Sequence, residues 1–96
     1  MHTIYFYVPH ELFDEKYDYL SPTDKMVYSF IAHIIEESES TNGWVRSTQK
    51  EMSNMLRIPF GTFRDAQRKL EAHGLIEHRV IRNKSGSWTE YSAHYL

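Results

Sequence analysis

Apolar residues at Val27, Phe30, Ile31, Ile34 and Ile35 recur every three or four positions, the spacing of a helix with one buried stripe. Ser21-Pro22-Thr23-Asp24 precedes that stripe as a start signal. Ser21 is placed to cap, Pro22 suits the first helical position, and Asp24 reaches back to the cap and favours the dipole. The helix is expected to fade near Ser38, with a polar turn over Ser38 to Gly43 and a short strand at Trp44-Val45-Arg46. Thr48-Gln49-Lys50-Glu51 has capping-box spacing, and Met52, Met55 and Leu56 then form the inward face of a second helix. Arg57-Ile58-Pro59 interrupts it, because Pro59 lacks a donor and disfavours helix at Ile58. A third helix is predicted from about Phe60 to Ala72, with Phe63, Ala66 or Gln67, and Leu70 facing the core, and Gly74 ends it in the left-handed region. Leu75 to Arg82 and Trp88 to Leu96 are β-prone around an Asn83-Lys84-Ser85-Gly86-Ser87 turn, which predicts a hairpin.

Upstream, Tyr5-Phe6-Tyr7-Val8 is β-prone and stopped by Pro9, a short strand or an extended arm. Leu12, Phe13, Tyr17, Tyr19 and Leu20 sit in an acidic, partly helical connector. The expected architecture is α+β: a winged helix-turn-helix, with a three-helix core and a C-terminal β-hairpin wing. Residues 1–96 form one domain: an arm and connector at 1–20, the helical core and first wing strand at 21–82, and the wing turn and last strand at 83–96. Trp44, Trp88, Phe63, Tyr28 and Phe30 are expected in its core, since a small domain relies on large apolar groups for burial.

The 96 residues, 41% hydrophobic and 25% charged, suit one core but not two. With no cysteine, disulfides and thiolate metal sites are excluded. The start of the chain lacks the marks of a signal peptide, and no apolar run spans a bilayer, so a cytoplasmic location without a membrane partner is expected. The net charge of −2 argues mildly against nucleic acid, but its distribution does not. Residues 1–42 carry two Lys or Arg against eight carboxylates, and residues 43–96 carry nine against five. That asymmetry fits one face for a polyanion and another turned away, or simply two solvated surfaces of opposite sign.

The stretch Ser47 to Glu77, STQKEMSNMLRIPFGTFRDAQRKLEAHGLIE, resembles the winged-helix pattern, closing on Leu70, Gly74, Leu75 and Ile76. Tyr7-Val8-Pro9, Leu12-Phe13, Tyr17, Leu20-Ser21, Lys25, Tyr28 and Asn42-Gly43-Trp44-Val45 resemble the amino-terminal domain of RepA-type plasmid replication initiators. The layout is also similar to helix-turn-helix domains of phage replication proteins. Gln67 departs from the pattern where many winged helices place an apolar residue, so either Ala66 takes that role or the packing shifts. The resemblance implies origin recognition by sequence-specific binding of double-stranded DNA, and dimers on repeated sites. The Tyr5, Phe6 and Tyr7 run either covers the domain or packs on a second copy. A stand-alone transcriptional repressor, or a winged helix used for protein contact, remains open.

On such a fold the third helix enters the major groove. Thr62, Arg64, Asp65, Arg68 and Lys69 point away from its core face. Arg64 is the expected base reader and Arg68 a reader or clamp, against the alternative of a solvated helix face. Asp65 holds an arginine, accepts from cytosine, or is plain surface charge. Gly61 costs helix propensity, about 1 kcal/mol, and would let the backbone approach a phosphate. Ser47, Thr48 and Lys50 at the second helix start suit a phosphate, although Thr48 serving only as a cap fits equally well. Arg79, Arg82 and Lys84 lie on or beside the wing: Lys84 suits a phosphate and Arg82 the minor groove.

His2, His10, His33, His73, His78 and His94 form no metal-ligand spacing, and phosphate-loop and serine-elbow motifs are absent. The histidine pair that rolling-circle initiators use for metal is also missing. No enzymatic activity, metal, cofactor or small-molecule ligand is expected.

Overall fold

The computed structural model describes residues 6–38 and 42–96. Helix α1, Pro22–Glu37, begins where the sequence places it. Ser21 Oγ accepts from the Asp24 amide at 3.1 Å, the Asp24 carboxylate accepts from the Ser21 amide at 2.8 Å, and Pro22 occupies the first turn. Val27, Tyr28, Phe30 and Ile31 are buried, whereas Ile34 and Ile35 are only half-buried as the helix runs outward. Burial, with smaller contributions from Tyr17 and Tyr95, pushes the Tyr28 hydroxyl up to about 12. It therefore keeps its proton and donates to the His94 carbonyl at 2.6 Å, tying α1 to the C-terminal segment.

The connector is two 3-10 turns, His10–Phe13 and Glu15–Tyr17, which deliver Leu12, Tyr17 and Leu20 to the core. It is thus part of the packed body rather than an appendage. Residues 6–9 take no regular structure, so of the two expected readings, a short strand or an extended arm, the strand is not formed there. Phe6 lies edge-on to Phe30 at 5.7 Å and covers this chain, while Tyr7 is exposed. Tyr5 lies outside the described residues.

Helix α2, Gln49–Leu56, is capped by Thr48 Oγ1, which accepts from the Glu51 amide at 3.0 Å. The reciprocal bond of the box is not made among the described residues. Its inward face differs from expectation: Met52 and Ser53 are buried, while Met55 is 44% exposed. At 100° per residue, Met52, Ser53 and Leu56 share one sector and Met55 falls outside it. Arg57 ends α2 in the left-handed region at φ 56°, an unusual place for a side chain with a Cβ.

Helix α3, Phe60–Ala72, buries Phe63, Ala66, Gln67 and Leu70. Gly74, at φ 74°, turns the chain so that the Leu75 amide donates back to the Leu70 carbonyl at 2.9 Å.

Three antiparallel strands, β1 (Val45–Arg46), β2 (Ile76–Asn83) and β3 (Gly86–Ala93), form a sheet in the order β1-β3-β2. The hairpin is tighter than expected: Lys84-Ser85 alone connect paired Asn83 and Gly86, and Asn83 Oδ1 accepts from the Ser85 amide at 2.8 Å. Register decides which side each residue faces, because cross-strand partners share a face. Ile76 pairs with Ala93, His78 with Tyr91, Val80 with Thr89 and Arg82 with Ser87 on the side of buried Ile76 and Tyr91. Arg79 pairs with Glu90 and Ile81 with Trp88 on the other side. Trp44 and Trp88 are therefore half-buried on the outer sheet face, whereas Phe63, Tyr28 and Phe30 occupy the core as expected.

Candidate nucleic-acid interface

This arrangement is a winged helix-turn-helix, α+β, with α2 and α3 as its two short helices and β2–β3 as the wing. Once Phe63, Ala66, Gln67 and Leu70 are inside, Thr62, Arg64, Asp65 and Arg68 are all exposed. Neither Arg64 nor Arg68 makes an ion pair among the described residues, Asp65 included. Lys69 behaves differently. Its Nζ is 3.1 Å from the buried Asp24 carboxylate, so it ties α3 to the start of α1 instead of standing with the arginines.

A groove runs between the start of α2, the start of α3 and the helix-facing side of the hairpin. Thr48, Gln49, Lys50, Phe60, His78, Val80, Thr89 and Tyr91 line it. Lys50 is exposed and unpaired among the described residues. Ser47 is buried beside it. Its amide donates to the Thr89 carbonyl at 3.1 Å, and its Oγ has no partner among the described residues. Thr48 Oγ1 is committed to its cap. A Cβ on Gly61 would meet nothing within 4 Å, so no packing in this chain demands glycine there.

Gln67 is the buried junction of this face. Its Oε1 accepts from Gln49 Nε2 on α2 and from the Tyr91 hydroxyl on β3, both at 3.0 Å. Its Nε2 donates to Glu71 at 3.1 Å, and Glu71 in turn pairs with His78 on β2. One side chain thus fixes α2, α3 and the hairpin relative to one another. Burial, and then the Glu71 charge, push the Tyr91 hydroxyl up to about 12, which keeps it protonated as a donor.

The wing cations divide. Arg82 shares the groove side of the hairpin, Lys84 stands in the turn, and both are exposed without an ion pair among the described residues. Arg79 is on the opposite side. It donates to Glu90 through Nε at 2.8 Å and lies 4.0 Å over the Trp44 ring. Arg46 covers Trp88 at 5.1 Å, and hydrogen bonds from Trp88 and Arg79 hold the Glu90 carboxyl below its usual range. Helical spacing therefore puts Gly61, Arg64, Asp65 and Arg68 on one flank of α3 and Thr62 beside Lys69 on another, and strand register puts Arg82 on the opposite side of the hairpin from Arg79.

Sequence reasoning missed Phe60 and Val80, which are 45% and 50% exposed within the groove. Phe60 stands outside the inward set Phe63, Ala66 or Gln67, and Leu70, but an exposed apolar residue carries no local mark of a binding role. It also missed Gln49, whose partner lies 18 positions away.

Among the described residues no helix is long and apolar enough to cross a membrane, and no three metal-ligating side chains cluster. No family model matches the chain, and no curated protein matches it. Solved structures share its fold. One, described as the N-terminal domain of a DNA binding protein, has a TM-score of 0.72 at 15% identity over 97% of this chain and 76% of its own. Another, described as a Rep–DNA complex, has a TM-score of 0.72 at 14% identity over 96% of this chain and 75% of its own.

Proposed function

We propose that this chain is a non-enzymatic, sequence-specific binder of double-stranded DNA, acting in origin recognition during plasmid or phage replication. The observation that carries the reading is the pair Arg64 and Arg68, one helical turn apart on the exposed face of α3 and without ion-pair partners among the described residues. Buried Gln67 holds that face against α2 and the hairpin. The B-DNA major groove admits one α-helix, and a guanidinium pairs bidentately with guanine O6 and N7. The similar structures, one of them a Rep–DNA complex, support DNA as the partner and replication as the setting.

In this reading Arg64 reads a base, with Arg68 as second reader or clamp, Asp65 beside them and Thr62 in the first turn of the same helix. Lys50 and the amides after Thr48 hold one phosphate run, and Arg82 and Lys84 hold another. Arg64→Ala is expected to cost roughly 1–3 kcal/mol at one base position and relax preference there, while Lys84→Ala weakens all duplexes alike. Binding curves on a panel of single-base variants of the preferred site check this. An unchanged profile for Arg64→Ala would refute α3 as the reading element.

Gly61 supplies a further test. Alanine there is expected to raise thermal stability by up to about 1 kcal/mol, since glycine is a poor helix former and the space is open. If the backbone meets a phosphate at this point, the same variant loses duplex affinity; thermal melts and binding curves on one preparation separate the two effects.

A second copy of the chain is the proposed additional partner. Phe6 is spent on Phe30, so Tyr7 carries the exposed aromatic surface of the described part of that run.

A further inference from the structure

Lysine and arginine explain attraction to phosphates, but two apolar side chains in the same groove do not serve that purpose. Phe60, the first residue of α3, and Val80, on the groove side of the wing, are both close to half exposed. Scattered apolar surface is ordinary. These two instead line one groove together with Lys50 and Thr89. Arg64 lies one turn after Phe60 on α3, its guanidinium 6.0 Å from the ring centroid. The head of the helix therefore carries an apolar plate beside a cation that makes no ion pair among the described residues.

Major-groove edges present hydrogen-bonding atoms at every base pair, but only thymine adds an apolar group, its 5-methyl. A groove that combines exposed apolar carbon with unpaired cations complements a polyanion carrying methyl groups. Resting on the duplex-binding reading above, we infer that Phe60 is a specificity-determining residue: its ring packs on a thymine 5-methyl while Arg64 pairs with the neighbouring guanine, so that the two side chains together read a thymine–guanine step. Arg64 fits this role because it follows Phe60 by one turn of α3 and its guanidinium lies over the Phe60 ring, 6.0 Å from the centroid, so the two reading groups are neighbours on one helix.

The test starts from duplexes selected from a random pool by the wild-type chain. In the preferred site each thymine is replaced in turn by deoxyuridine, which removes the methyl and leaves every hydrogen-bonding atom. One replacement, next to a guanine, is expected to weaken wild-type binding roughly fourfold, the worth of one buried methyl. Phe60→Ala should bind the thymine and uracil duplexes equally. Phe60→Leu, which keeps apolar carbon at the same place, should retain part of the difference. Circular dichroism melts confirm that both variants fold. Wild-type binding that is indifferent to every uracil replacement would overturn this inference and leave duplex recognition standing. A methyl effect undiminished in Phe60→Ala would overturn it as well. Failure of the wild type to bind any duplex at low salt would remove the underlying reading together with it.

Discussion

Raising salt from about 50 to about 200 mM is expected to cut duplex affinity about 150-fold, with a log–log slope of about −3.6. The figure follows from the unpaired cations assigned to phosphates around α3 and the wing, Lys50, Arg68 as a clamp, Arg82 and Lys84, with Arg64 left out because it is assigned to a base. Each phosphate neutralised releases condensed counterions, and the entropy of that release shrinks as bulk salt rises. The chain's net charge of −2 makes the result diagnostic. A protein attracted only through its overall charge would show no such slope, whereas one that presents a local cationic face shows it regardless of the distant acidic residues. The expected contributions differ from residue to residue. Lys84→Ala should flatten the slope by about one unit. Lys69→Ala and Arg79→Ala should leave it unchanged, because their charges are already engaged by Asp24 and Glu90. Fluorescence anisotropy across a salt series measures all four proteins. A wild-type slope near zero, with weak binding throughout, would favour a winged helix that contacts protein.

Gln67→Ala is expected to destabilise the fold by about 3 kcal/mol, the sum of an orphaned buried donor and a residual cavity. Gln67 is 2% exposed and Tyr91 is fully buried, so water cannot replace the lost amide at the Tyr91 hydroxyl. The Gln49 amide loses its acceptor as well. In a chain of this size, that cost corresponds to a fall in Tm of roughly 15 °C. The informative control is Gln67→Leu combined with Tyr91→Phe, which removes donor and acceptor together and fills the space. That pair should recover most of the loss and show a coupling of at least about 1 kcal/mol in a double-mutant cycle. Urea denaturation gives the values. A cost below about 1 kcal/mol for Gln67→Ala would mean that Gln67 does not hold the junction.

Local physics left clear marks on the chain. Ser21, Pro22 and Asp24 start α1, Thr48 starts α2, Pro59 separates α2 from α3, and Gly74 ends α3, each through interactions spanning a few residues. Period-3.6 burial at Phe63, Ala66, Gln67 and Leu70 orients α3 and exposes Arg64 and Arg68, which is why both the winged architecture and the central part of the proposed interface were readable beforehand. Gln67 itself marked a departure whose meaning needed the partners on α2 and β3.

Other features depend on residues far apart in sequence. Lys69 and Arg64 both read as exposed cations of α3, and only the docking of α1 brings the Asp24 carboxylate to Lys69. Arg79 and Arg82 both read as wing cations, yet strand register puts them on opposite sides of the sheet, where a slip of one residue would exchange them. Trp44 and Trp88, expected inside, lie on the outer sheet face beneath arginines for the same reason. Propensity, capping and periodicity act over one or two turns, so the linear chain specifies its elements and their inward faces. Side-chain partners and the side of the sheet are settled by contacts between elements, and these exist only after the helices and strands have packed.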